Sequence, residues 1–181
     1  MKKMPEQLNP IIFLESEPAQ TGLDPDVLRQ AMRNWSTGVT IVTAQHQGVR
    51  HGMTVSSFTS VSLQPPIVLV ALEQSTRTHT LVSSSGFFGI NILSTEQKAT
   101  SECFAGQECE DEDRFAGLET HSLVSGAPMI TGSLAYLDCH VVATYVSGKN
   151  TLFIAEVLAA QAGEKAPPLI YYDRKYRQLQ D

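Results

Sequence analysis

Cysteine, tryptophan and basic side chains are all scarce in this chain. Its three cysteines, Cys103, Cys109 and Cys139, are odd in number and irregularly spaced along 181 residues. That pattern argues against a disulfide scaffold and fits a reduced, cytoplasmic protein. Thirteen Lys and Arg stand against nineteen Asp and Glu, a net charge of -6. Nucleic acid is not an expected partner, because binding a phosphate backbone depends on clustered cations. No apolar run reaches the ~18 residues of a membrane span. The N-terminal apolar stretch runs only from Ile11 to Leu14, too short for a signal-peptide core. The common catalytic signatures are missing as well: GxGxxG after a strand, GxxxxGK before Ser or Thr, GxSxG and HExxH. No metal site is expected either. Cys139 and His140 are neighbours on a predicted strand and point to opposite faces, so they cannot join Cys103 and Cys109 around one ion.

The chain does contain enough apolar residues, 42%, for one domain with a full core. Residues 1–22 are polar and proline-broken and read as an extended arm, with the domain following over 23–181. Asp24-Pro25 is a cap followed by a first helical residue that needs no partner for its missing N–H. Leu28, Ala31, Met32 and Trp35 then share a helical face, which makes Trp35 a core anchor or, less simply, a stacking residue. Gly38 is expected to end that helix, and the β-branched run Val39 to Ala44 to form a strand that turns at Gln47-Gly48.

The next stretch, His51 to Leu72, carries Thr54, Ser56, Ser57, Thr59, Ser60 and Ser62 between apolar residues, breaks at Pro65-Pro66, and ends in a buried strand. Hydroxyls on extended backbone suit either a ligand-binding wall or a half-buried hairpin. Ser75 or Thr76 can cap a short helix that Gly86 ends. Arg77, beside Ser75 and Thr78 at that helix start, is either solvated or placed for a phosphate. Phe87 to Leu93 reads as a strand, and Ser94 with Gln97 makes a capping box for a helix to Phe104. Gly106 to Leu118 is an acidic loop pinned by Phe115. Leu134 to Ser147 and Thr151 to Gln161 form a hairpin through Gly148-Lys149-Asn150, and one short strand closes the tail. Six or seven strands in hairpin succession, with a few peripheral helices, predict a mainly β fold built as an antiparallel barrel. With no nucleophile, metal or acid–base pair visible, such a protein binds a ligand or borrows a cofactor's chemistry.

The segments TGVTIVTA (37–44), GMTVSSFTSVSLQPPIVLVAL (52–72), FGINILS (88–94), CFAG (103–106), DRFAGL (113–118) and PLIYYDRKYRQL (168–179) resemble the short-chain flavin reductases that serve two-component monooxygenases. The resemblance runs from about residue 25 to the C-terminus. It implies a Greek-key split β-barrel, a homodimer, and an NAD(P)H:flavin oxidoreductase working with FMN or FAD, with NADH or NADPH as co-substrate and an oxygenase component as partner. It also implies roles: Thr54, Val55, Ser56 and Ser57 at the isoalloxazine, Ser62 towards the ribityl or phosphate end, and Ser75, Arg77 and Thr78 at the phosphate. Asn91 and the Phe104-Ala105-Gly106 turn would complete the pocket. Members commonly carry GDH before the strand that begins near Thr151, with its His at the nicotinamide. This chain has Gly148-Lys149-Asn150 there, so Lys149 and Asn150 are its nicotinamide-side candidates. Asn cannot become cationic or stack as imidazole does. The alternative reading is therefore a flavin-binding protein of the same fold that makes poor use of NAD(P)H.

Overall fold

The computed structural model describes residues 22–106 and 113–179; the expected arm, apart from Gly22, and Cys109 lie outside these residues. Asp24 caps helix α1 (Pro25–Met32), its carboxylate accepting from the Asp26 N–H at 2.9 Å. The helix stops at Met32, not at Gly38. Gly38 instead belongs to a two-residue strand, β1 (Thr37–Gly38), drawn into extended form by pairing with the C-terminal tail. Among the described residues, nothing covers the apolar side of α1. Leu28, Met32 and Trp35 are 52%, 53% and 66% exposed, so Trp35 is not the core anchor that its spacing suggested.

Strand β2 (Thr40–His46) turns at Gln47-Gly48, both at positive φ, into β3 (Val49–Val55). Residues 56–58 lead to β4 (Thr59–Leu63), which folds back through the proline corner into β5 (Pro66–Glu73). Thr76, not Ser75, caps α2 (Arg77–Ser85), and Gly86 ends it in the left-handed conformation. After β6 (Phe87–Ile92), the Ser94/Gln97 capping box starts a 3-10 turn that continues as α3 (Lys98–Phe104). Two short strands, β7 (Thr120–His121) and β8 (Met129–Ile130), pair with each other. The long hairpin β9 (Ala135–Ser147) and β10 (Asn150–Ala162) turns at Gly148-Lys149. The tail forms a hairpin of two strands, β11 (Ile170–Tyr172) and β12 (Lys175–Arg177), where one strand was expected.

Seven strands form one antiparallel sheet in the order β3-β2-β6-β9-β10-β5-β4. The β9–β10 hairpin, last in sequence, lies between β6 and β5. The edge strands β3 and β4 are joined by only three residues. Laid flat, the sheet would hold its edges about 29 Å apart at ~4.8 Å per strand, whereas a three-residue link reaches about 14 Å at most. The sheet therefore curls until its edges meet at one corner. No ladder joins β3 to β4, which leaves the barrel split there.

β2 is buried on both faces because two cores meet across it. Val42 and Ala44 point into the barrel with Val68, Val70, Leu72, Phe88 and Phe153. Val39 and Ile41 point outward into a second core with Leu93, Phe104, Phe115 and Leu169, as the two-residue strand period requires. Of the cysteines, Cys103 is disulfide-bonded, contrary to the expectation of reduced thiols; an odd count rules out full pairing but not one bridge. Cys139 is free and buried, and burial, with Asp138 beside it, pushes its thiol up to about 12. His140 on the next position is exposed, on the opposite face as expected.

Gly52 is where α3 meets β3. A Cβ there would lie 2.7 Å from Cε1 of Phe104 and 3.1 Å from the Val42 carbonyl oxygen. Gly52→Ala should lower the urea-unfolding free energy by about 1–3 kcal/mol through overpacking; an unchanged midpoint would show that this contact yields freely.

Candidate functional site

The closing corner of the barrel borders a cavity of about 180 Å³ lined by Val39, Thr54, Val55, Ser56, Ala105, Tyr171 and Tyr176. Four of the sequence-predicted residues, Thr54, Val55, Ser56 and Ala105, are thus brought together. The link 56–58 lies outside both strands, and its N–H and C=O groups have no backbone partner among the described residues. Its position is fixed instead by Ser57, whose hydroxyl donates to the Ala71 carbonyl at 2.8 Å and accepts from the Ala71 N–H at 3.3 Å. The Ser57 side chain is therefore used in tying the link to β5, while the exposed Ser56 faces the cavity.

Thr54 Oγ1 donates to the Ser101 carbonyl at 2.7 Å, and Ser101 Oγ meets the Tyr176 hydroxyl at 2.9 Å. Tyr171 and Tyr176 form opposite sides of the tail hairpin, are cross-strand partners, and pack edge to face at 5.5 Å. One chain of contacts thus locks β3, α3 and the hairpin around the cavity. Buried Ser101 and the two tyrosines were not among the predicted site residues. The spacing of two tyrosines about a two-residue turn was the signal that could have marked them.

Further back along β3, a second cavity of about 420 Å³ is lined by Gly48, Val49, Arg50, His51, Arg77, Asp113, Arg114 and Phe115. Arg114 Nη1 donates to the carbonyls of Gly52 (3.1 Å) and Phe104 (2.9 Å), bracing α3 against β3. Arg50 pairs with Asp113 at 3.2 Å and lies 4.6 Å over the Phe115 ring. His51 Nδ1 is 2.8 Å from the hydroxyl of buried Thr78. Burial, together with the charges of Arg114 and Arg77, lowers the His51 pKa to about 4, so its ring is neutral near pH 7. Arg77 is the predicted residue that lines this cavity; Thr78 stands just behind His51, and Ser75 is exposed in the turn before α2.

Other predicted residues lie elsewhere. Ser62 accepts from the Gln64 N–H at 3.2 Å and tightens the β4–β5 corner. Asn91 is fully buried; its amide donates to the Ile41 carbonyl and accepts from the Ile130 N–H at 2.6 Å. Phe104 is fully buried against Phe115, and Gly106 is in the left-handed conformation just beyond it. Lys149 and Asn150 sit at the tip of the β9–β10 hairpin and line neither cavity.

The arrangement offers an amphipathic slot with two aromatic rings beside the start of the unladdered 56–58 link, with cations a few residues along the same strand. That suits a planar heteroaromatic ring with a hydrogen-bonding edge and an anionic tail. The donor set fits a flavin: unladdered backbone for the ring's N and O edge, aromatic surface beside it, and guanidiniums for a phosphate.

The model of the flavin reductase like domain matches residues 32–180. The reductase component of a 4-nitrophenol 4-monooxygenase/4-nitrocatechol 2-monooxygenase from Rhodococcus opacus is 40% identical over 85% of this chain and 80% of that protein. The NADH-dependent flavin reductase StyB of Pseudomonas fluorescens is 36% identical over 85% of this chain and 89% of its own. Among solved structures, the flavin reductase PheA2 in its native state superposes with a TM-score of 0.80 at 36% identity, covering 88% of this chain and all of that one. With a family model over residues 32–180 and relatives of 36–40% identity over most of both chains, this chain belongs to the flavin reductase like family.

Proposed function

We propose that this protein is an NAD(P)H-dependent flavin reductase that supplies reduced FMN or FAD to a flavin-dependent monooxygenase. The observation that carries the reading is the slot at the split corner, where Thr54, Val55, Ser56 and Ala105 face Tyr171 and Tyr176. A bound flavin would supply the redox chemistry, as the hydride acceptor from a reduced nicotinamide nucleotide. The protein's own part is to bind and orient. The backbone groups of 56–58 and the Ser56 hydroxyl meet the ring's polar edge. The Thr54–Ser101–Tyr176 contacts hold the aromatic wall in place. Arg77, with His51 and Thr78 beside it, takes the phosphate at the other end of β3. Asn91 and Ser57 support the slot from behind through internal hydrogen bonds. No acid–base residue is required, since orientation and exclusion of water suffice for hydride transfer between two bound rings.

The protein acts in the cytoplasm, where reduced nicotinamide nucleotides are supplied, and as a homodimer. The apolar side of α1 with Trp35 just beyond it, Val27, Leu28, Met32 and Trp35 each more than half exposed, is large for a free surface and supports contact with a second copy. The second reading, a flavin-binding protein making poor use of NAD(P)H, is favoured by one observation: Asn150 stands where a nicotinamide-side His is expected, at an exposed hairpin tip.

Three measurements test these assignments. NADH and NADPH oxidation with added FMN or FAD should exceed the protein-free rate; no turnover with either nucleotide would sink the reductase reading. Asn150→His should then raise the turnover rate; an unchanged rate would detach this position from the nicotinamide. Arg77→Gln should raise the KM for FMN by about tenfold, the equivalent of one lost charge-assisted contact, while leaving that for riboflavin alone. The His51 pKa gives an independent check. Burial and then the charges of Arg114 and Arg77 depress it, and a bound phosphate would offset the charges, so FMN should raise the pKa from about 4 in an NMR titration, with riboflavin raising it less. Equal values with and without FMN would place the phosphate elsewhere.

A further inference from the structure

A second group of arginines, at the tip of the tyrosine hairpin, has no part in the site described so far. Tyr171 pairs with Tyr176 and Tyr172 with Lys175, so Asp173 and Arg174 alone make the turn. Both have positive φ, 48° and 57°. Two-residue hairpin turns of this hand favour Asn or Asp followed by Gly. Asp173 fits the first position, but Arg174 holds a long side chain where glycine would be free of strain. Backbone held in such a conformation is a reason to look for function.

The Arg174 side chain lines a cavity of about 380 Å³ with Asp26, Arg29, Gln30 and Arg33 of α1 and its cap. The Asp173 N–H donates to the Arg33 carbonyl at 3.2 Å, fixing the turn to the end of the helix. Among the described residues Asp26 is the only carboxylate lining this groove, and it is already paired with Arg29. Arg33 and Arg174 have no carboxylate partner among the described residues. A cation near a helix C-terminus is favourable, which accounts for one arginine there but not for a second on a left-handed residue. Guanidiniums gathered without counter-charges suit a phosphate, which they can grip in pairs.

The groove is placed for a particular phosphate. Tyr171 lines the ring slot, and Arg174 follows three residues on, in the turn of the same hairpin. The cationic cavity assigned to the flavin phosphate is reached from the same slot along β3 and shares no residue with this groove. We propose that the groove of Arg33 and Arg174 binds the phosphate groups of the nicotinamide dinucleotide while its nicotinamide end enters the tyrosine-lined slot. This rests on the reductase reading above.

The test uses the full chain with Arg174→Gly, which removes the charge and the strain together, and with Arg33→Gln. Each should raise the KM for NADH by about tenfold with kcat, FMN and FAD affinities unchanged, and Arg174→Gly should not lower the melting temperature. An unchanged KM for NADH overturns the proposal. So does a weakened FAD affinity beside an unaltered FMN affinity, because the groove would then serve the flavin's diphosphate. A lowered melting temperature with a fall in kcat would mark a structural turn instead and overturn it equally. Calorimetric titration with pyrophosphate separates this proposal from the reading beneath it. If the wild type reduces no flavin, the reductase reading fails; pyrophosphate binding that is lost in both variants still supports the anion groove, and binding equal in all three overturns it.

Discussion

The three-residue link between β3 and β4 is the constraint on which the rest depends. It joins the two edges of a seven-stranded sheet, and so forces the sheet to curl. Because the edges meet only at that corner, the backbone of 56–58 cannot enter a ladder. Buried or half-buried backbone groups without partners are costly, and here they stand at the mouth of the slot. The geometry that closes the barrel thus also leaves polar backbone outside any ladder at this corner. Ser57 keeps this backbone from collapsing by tying it to β5 through both hydrogen bonds with Ala71.

Charge is distributed to match. The chain carries a net charge of -6, yet arginines collect in two grooves beside the slot, Arg50, Arg77 and Arg114 on one side and Arg29, Arg33 and Arg174 on the other. Local concentration, not net charge, decides whether a phosphate is held. The acidic balance over the whole surface still disfavours long polyanions, which accords with binding small nucleotides.

Much of this was legible in the sequence. The caps at Asp24 and Thr76, the Ser94/Gln97 box, the Gly86 stop and the β9–β10 hairpin all follow from local chemistry, and all stand in the fold. The hydroxyl-rich run was readable as a ligand wall or as a half-buried hairpin, and its Thr54 to Ser56 part lines the slot. What escaped depends on distant pairing. Gly38 could not be read as strand because its partner, Ile170, lies at the other end of the chain. Trp35 has helical spacing typical of a core face, but among the described residues nothing covers it. Tyr171 and Tyr176 looked like tail residues because only β1–β11 pairing brings them to the slot. Asn91 and Ser57 have the polar character of ligand contacts, yet tertiary hydrogen bonds engage them internally.

The account stands or falls on where the flavin ring lies. A crystal structure of the protein soaked with FMN should show the isoalloxazine edge against the backbone of 56–58, with Tyr171 and Tyr176 beside the ring and the phosphate at Arg77. A ring bound anywhere else, with the 56–58 backbone facing only water, would contradict it.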